Sequence, residues 1–142
     1  LHFKNATKKI KEFNSNFKGF IKTVDAIRSL KKTSESLTSE ISTLLKTYNL
    51  SNKKIKSINQ QLIAFEKSFI SEKGMYFGSW YKSLYAASDP FSGYAAWILP
   101  GVEYEIALKS SDRLEEWDMR YANAILSLKT KMDNLSLEIN TY

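Results

Sequence analysis

The sequence predicts an all-α fold: a bundle of about four helices with one long aromatic-rich irregular connection, in a single domain over residues 1–142. Three observations predict it. Apolar residues recur at three- and four-residue steps on both sides of the middle of the chain, the spacing that places one stripe along a helix. Between Ile70 and Gly101 that period vanishes, and four of the five glycines, both prolines and eight aromatic residues collect there. The chain is 43% hydrophobic and 25% charged, which suits one globular core rather than a disordered segment.

Taken in order, Ile10, Phe13, Phe17, Phe20, Val24, Ile27 and Leu30, then Leu37, Ile41, Leu44 and Tyr48, form the first stripe. It predicts a helix from about Phe17 to Tyr48, near 45 Å long at roughly 1.5 Å per residue, with a bend or break at the polar Thr33–Ser36 stretch. Asn49–Ser51 supplies turn and N-cap chemistry. Ile55, Ile58, Leu62, Phe65 and Phe69 then mark a second helix, antiparallel to the first. Pro100, just before Val102, Ile106 and Ala107, fits the first turn of a short helix ending near Ser110. Asp112 and Glu115 have capping-box spacing ahead of the last stripe: Leu114, Trp117, Tyr121, Ala124, Leu128, Met132, Leu135 and Ile139. The irregular segment is too apolar for a linker, and a connection of that length inside a compact domain implies a packed functional loop. Its aromatics are core filler, ligand wall or interface anchors.

Composition removes several function classes. Without cysteine there are no disulfides, no thiol catalysis and no thiolate zinc site. The one histidine, His2, provides neither a Ser-His-Asp arrangement nor a multi-histidine metal site. Glu103 with Glu105, or Glu115 with Glu116, are alternate or adjacent on helices and point apart, so they read as solvated charges rather than acid–base pairs. No catalytic residue and no metal ligand is assigned. The net charge of +6 is uneven: residues 1–60 hold 13 Lys/Arg against 4 Asp/Glu. Those lysines alternate with the apolar stripe as a solvated outer face does, with no arginine cluster or base-reading motif, so nucleic acid is not expected. No run approaches the roughly 18 to 20 apolar residues of a membrane span. The chain starts at Leu1 with helical periodicity almost at once, which reads as a piece of a longer protein.

Several short motifs carry a family resemblance. Gln61-Leu62-Ile63-Ala64-Phe65-Glu66-Lys67-Ser68-Phe69-Ile70, Trp80-Tyr81-Lys82-Ser83-Leu84-Tyr85-Ala86, Gly93-Tyr94-Ala95-Ala96 and Leu99-Pro100-Gly101-Val102 follow one another at similar spacing to elements of the transferrin receptor and glutamate carboxypeptidase II family. Trp117, with Ala122 and Ala124 downstream, stands where that family's final helix has a Trp followed by alanines. The chain therefore resembles the C-terminal helical dimerisation domain of that family.

The resemblance implies a homodimerisation domain that closes a larger ectodomain, packs on protease-like and apical domains of the parent chain, and has no catalysis or cofactor of its own. Zinc, where the parent is a peptidase, would belong to its protease-like domain. It further implies that Gly93 and Tyr94 form one wall of the parent's substrate or ligand pocket. The family has a Lys where this chain has Gly93, so the cation that would pair with a substrate carboxylate is missing here. There is also no Arg-Gly-Asp tripeptide, so transferrin binding is not implied. Tyr76, Phe77, Trp80, Trp97 and Trp117, together with the start of the last helix, are the candidates for the dimer interface. The resemblance places the domain on the lumenal, vacuolar or extracellular side of a type II membrane protein, touching the membrane only through the parent's N-terminal anchor. The sequons at Asn5, Asn49 and Asn134 agree with that side. The rival from another class is an independent helical interaction module of the trafficking-adaptor type, which accounts for the stripes but not for the Gly/Pro/aromatic segment.

Overall fold

The computed structural model describes residues 1–141. Five α-helices and one two-stranded sheet follow in the order α1 (His2–Lys11), α2 (Ile21–Thr47), α3 (Asn52–Ala64), β1 (Ala86–Ser88), β2 (Ala96–Ile98), α4 (Pro100–Leu108) and α5 (Leu114–Ile139), with a 3-10 turn, Glu66–Phe69, after α3. The all-α reading holds, and the irregular connection holds the small hairpin β1–β2.

α2 and α5 form the spine. They run in the same direction, since Thr23 meets Asp118 near their starts and Leu44 clusters with Leu135 and Ile139 near their ends. α3 runs the other way. Lys54, in its first turn, pairs with Glu138, Ser57 and Gln61 further along reach the same carboxylate, and the Ala64 carbonyl at its C-terminus accepts from Lys131 Nζ, a residue earlier in α5, at 3.1 Å. The second helix is thus antiparallel to the first, as expected, but it joins the bundle largely across α5. Ser51 caps it, its side-chain oxygen accepting from the Lys54 N–H at 3.4 Å. It ends earlier than its stripe suggests, because the chain tightens into the 3-10 turn that carries Phe69.

Three expectations need correction. The first stripe is split between two helices, α1 and α2, with residues 12–20 as the connection, and α2 does not break at Thr33–Ser36. Two hydroxyls of that stretch find side-chain partners without disturbing the helix: the Ser36 hydroxyl donates to Glu40 Oε1 at 2.8 Å on the exposed face, and the Thr33 hydroxyl to Asp133 Oδ1 at 3.4 Å. The Asp112–Glu115 capping box does not form, because α5 begins at Leu114 after Arg113 and lacks a side-chain cap. The third concerns the buried face of α2. Its N-terminal half buries the small Thr23 and Ala26 rather than Val24 and Ile27, which stay in solvent. Small side chains let α2 approach Ala122 and Ile125 of α5 closely, and that fixes which face turns inward.

The core has three clusters along the spine. One gathers Ile10, Phe20, Leu84, Leu99, Val102, Leu114, Trp117 and Tyr121 where α1, α4 and the start of α5 meet. The second, small, lies around Ala26, Ala122 and Ile125. The third holds Leu37, Leu44, Ile58, Leu135 and Ile139 at the far end. At the α2 N-terminus the unpaired backbone groups are satisfied from across the bundle. The Asp118 carboxylate accepts from the N–H of Lys22 at 3.0 Å and of Thr23 at 2.8 Å, and the Thr23 hydroxyl donates to the Asp118 carbonyl at 3.0 Å. A residue 95 positions away thus caps α2 and locks it to α5.

Candidate interaction site

The irregular segment folds into an arm standing on α4. β1 and β2 pair antiparallel in the register Ala86↔Ile98, Ala87↔Trp97 and Ser88↔Ala96. The ladder is extended at its base by Leu99 N–H to the Tyr85 carbonyl and at its tip by Asp89 N–H to the Ala95 carbonyl, both 2.8 Å. Asp89 organises the tip. Its carboxylate accepts from the Phe91 N–H at 2.8 Å and the Ser92 hydroxyl at 2.7 Å, and its carbonyl accepts from the Gly93 N–H at 2.8 Å. The Ser92 hydroxyl, followed by the Phe91 amide, holds the Asp89 carboxyl below its ordinary range. Gly93 has φ +73°, a left-handed turn that glycine adopts without strain. The next residue, Tyr94, projects from the tip at 98% exposure.

Aromatic rings anchor the arm. Phe77 contacts Tyr81, Tyr104 and Trp97 with centroids 5.0, 5.2 and 6.1 Å apart, and Phe91 contacts Trp97 and Tyr104 at 6.0 and 6.1 Å. Such edge and offset contacts stabilise by about 0.5–1.5 kcal/mol each beyond area burial. Tyr104, on α4, was absent from the sequence-level candidates. Its only signal was an aromatic in a helix otherwise read for its Pro and Val.

Where α4 begins, Leu99 takes a left-handed conformation (φ 60°), Pro100 occupies the first turn, and Gly101 lies against Trp117. A Cβ on Gly101 would come within 2.5 Å of the Trp117 ring, so the Leu-Pro-Gly motif serves to seat α4 on that indole. At the other end of α4, Glu105 is not the solvated charge its spacing suggested: it is fully buried, and its carboxylate accepts from Arg113 Nε at 2.7 Å. That bond is the first reason the Arg113 guanidinium holds its proton more firmly than usual. Arg113 also lies over the Tyr76 ring at 4.3 Å, Tyr76 donates to Glu116, and Arg120 lies over Trp117 at 4.2 Å. Arg120 Nη2 donates to the Gly74 carbonyl at 2.6 Å and to Ser71 Oγ at 2.7 Å. The bond to the Glu116 carboxylate, then burial, raises the Tyr76 phenol pKa. This alternation of cations, rings and carboxylates fastens the first part of the irregular segment to α5. Tyr121, deep beneath it, has its phenol pKa driven up chiefly by burial.

The interface candidates therefore separate. Phe77 and Trp97 lie half-buried under the arm, while Tyr76 and Trp80 are exposed. Trp117 is enclosed, at 0% exposure, and the α5 start buries Leu114 and Tyr121 beside it. Trp117, with Leu114 and Tyr121, is corrected to core: these side chains close the space between α4, α5 and the irregular segment and are unavailable to a partner, and of the start of α5 the exposed face, with Met119, stays open. Gly93 and Tyr94 stand together at the tip. Asn5 on α1, Asn49 in the α2–α3 connection and Asn134 on α5 are exposed and far apart in sequence. Among the described residues, no group of three or more His, Asp or Glu side chains is arranged to hold a metal ion, and no helix is long and apolar enough to cross a membrane.

The fold is a helical spine bearing a hairpin arm with an exposed aromatic tip, the class of all-α domain with one small hairpin. The transferrin receptor-like dimerisation domain family model matches residues 1–133, and the chain belongs to that family. Its role is accordingly dimerisation, with a second copy as partner and no catalysis in the domain itself. No curated protein and no solved structure matched the chain.

Proposed function

We propose that this domain pairs two copies of a larger protein and sets its hairpin arm against a protease-like domain of that protein, with Tyr94 and the Gly93 backbone forming one wall of a substrate or ligand pocket. The observation carrying the reading is the tip itself. A fully exposed tyrosine on an Asp-organised turn, carried by an arm anchored by a ring cluster, presents its ring and hydroxyl at a defined place where a facing surface can receive them. Gly93 brings backbone but no charge to that wall, so recognition there would rest on the Tyr94 ring and hydroxyl. The parent on this reading is a membrane-anchored protein whose domain faces a lumen or the exterior, with apical and protease-like neighbours. Any zinc would be held in the protease-like domain.

Hydrogen exchange on the intact protein tests the arm. Amides of residues 89–95 should exchange more slowly in the intact protein than in the 142-residue chain, and Tyr94→Ala should abolish part of that protection without lowering the melting temperature. Equal exchange in both would leave the tip a free surface. Sedimentation tests the pairing: the intact protein should be a dimer at micromolar concentration, and a monomer would refute the dimerisation role.

A further inference from the structure

We propose that the groove between α1 and α2 receives an acidic amphipathic helix from a partner protein. The groove follows from the turned face of α2. Because Thr23 and Ala26 face α5, the larger Ile21, Val24 and Ile27 are left 56%, 36% and 41% exposed along one line. With Phe3 and Phe20, whose rings meet at 5.2 Å, they line an open groove of about 640 Å³. Ile21 to Ile27 covers about 9 Å of helix axis, enough to seat nearly two turns of a partner helix presenting residues at i, i+3, i+4 and i+7.

Charge selects the occupant. Lys4 and Lys8 on α1 and Lys18 in the connection form the rim, and among the described residues none of the three has a carboxylate partner. The one acid in the lining, Asp25, is taken by Arg28 at 3.0 Å. A second copy meeting groove to groove about a twofold axis would bring two basic rims together, and like charges oppose that pairing. An anionic bilayer would satisfy the lysines, but a flat surface does not follow a concave groove walled by Phe3 and Thr7 on one helix and Val24 and Ile27 on the other. A helix with leucines on one side and glutamates flanking them meets both the apolar walls and the basic rim. This surface is separate from the arm, so the proposal stands or falls independently of the reading given above.

The probe is a fluorescein-labelled synthetic helix about five turns long, with Leu at i, i+3, i+4 and i+7 and Glu beside them, titrated with the intact protein by fluorescence anisotropy. Its controls are the same helix with Lys for Glu, and vesicles of phosphatidylserine and phosphatidylcholine. The acidic helix should bind at least about tenfold more tightly than the basic one and weaken as salt is raised. Ile27→Glu should reduce binding about tenfold or more, and Lys8→Glu with Lys18→Glu should reverse the preference between helices. Ile27→Gln serves as the second apolar variant, and circular dichroism melting should show all variants folded as the parent is. Absent binding, equal binding of the two helices, or binding indifferent to Ile27 in a folded variant would overturn the proposal. So would vesicle binding lost in the lysine variant with the acidic helix ignored, which assigns the groove to a membrane. Conversion of a dimer to monomer by Ile27→Glu would likewise overturn it, assigning the groove to a second copy.

Discussion

Replacing Asp118 with Ala tests whether one carboxylate joins the two spine helices. It removes two acceptors at once, for the N–H of Lys22 at 3.0 Å and of Thr23 at 2.8 Å. A hydrogen bond to a charged group contributes about 1.5–3 kcal/mol net when buried. The Thr23 bond is buried and the Lys22 bond partly so, which puts the loss at about 3 to 4 kcal/mol, partly through the stranded Thr23 N–H. For a domain of this size such a loss lowers the melting temperature by roughly 10 °C. Asp118→Asn keeps one acceptor oxygen and loses the charge at the helix N-terminus, so it should fall about halfway. Urea denaturation followed by circular dichroism gives both values. An Asp118→Ala variant within about 0.5 kcal/mol of the parent would refute the capping argument, since surface substitutions already lie within that range.

Arg113→Met should destabilise by about 3 kcal/mol by leaving the fully buried Glu105 carboxylate without its charged partner, and adding Glu105→Leu should restore part of that; a loss below about 1 kcal/mol, the value of an exposed pair, would show the bond is not structural. Gly101→Ala should cost at least about 1–3 kcal/mol by overpacking against Trp117 and should shift the tryptophan emission, whereas an unchanged spectrum and melt would mean α4 is seated otherwise. Leu135→Ala, at a fully buried position in the far cluster, should cost about 2–5 kcal/mol in the same denaturation assay, while the exposed Leu137→Ala beside it should cost little. Because the Asp89 carboxyl is held below its ordinary range, the order it gives the hairpin tip is complete above that range and lost as pH falls through the lowered value. Amide shifts of Ser92 and Tyr94 should move together in acid and stay put in Asp89→Asn, and an Asp89→Asn tip that still titrated would point to another group.

Much of the candidate site was legible because its residues carry unusual chemistry in a short span. Gly93 and Tyr94 lie within one turn and were reached through the family resemblance, and Pro100 and Gly101 sit at one helix start that proline geometry marks. The hairpin was not legible, because strands of three residues each are too short to show an alternating period. What escaped the sequence was each residue's environment. Trp117 and Tyr76 are both aromatic and sit near Arg113 and Arg120, but one is enclosed and the other half-exposed, and nothing in their own side chains distinguishes them. Tyr104 escaped because its role depends on Phe77 and Phe91 reaching it from the arm.

The sequence by itself determined the helical class, the α3 cap at Ser51, the short helix after Pro100 and the last helix from its stripe, because period, capping and proline geometry act within a few residues. The face α2 turns to the core was decided only in tertiary structure. A repeating stripe states that one side is apolar, but close packing of α2 on α5 rewards the side whose residues are small enough to approach. That choice buries Thr23 and Ala26, draws Asp118 onto the bare α2 N-terminus, and leaves Ile21, Val24 and Ile27 to solvent.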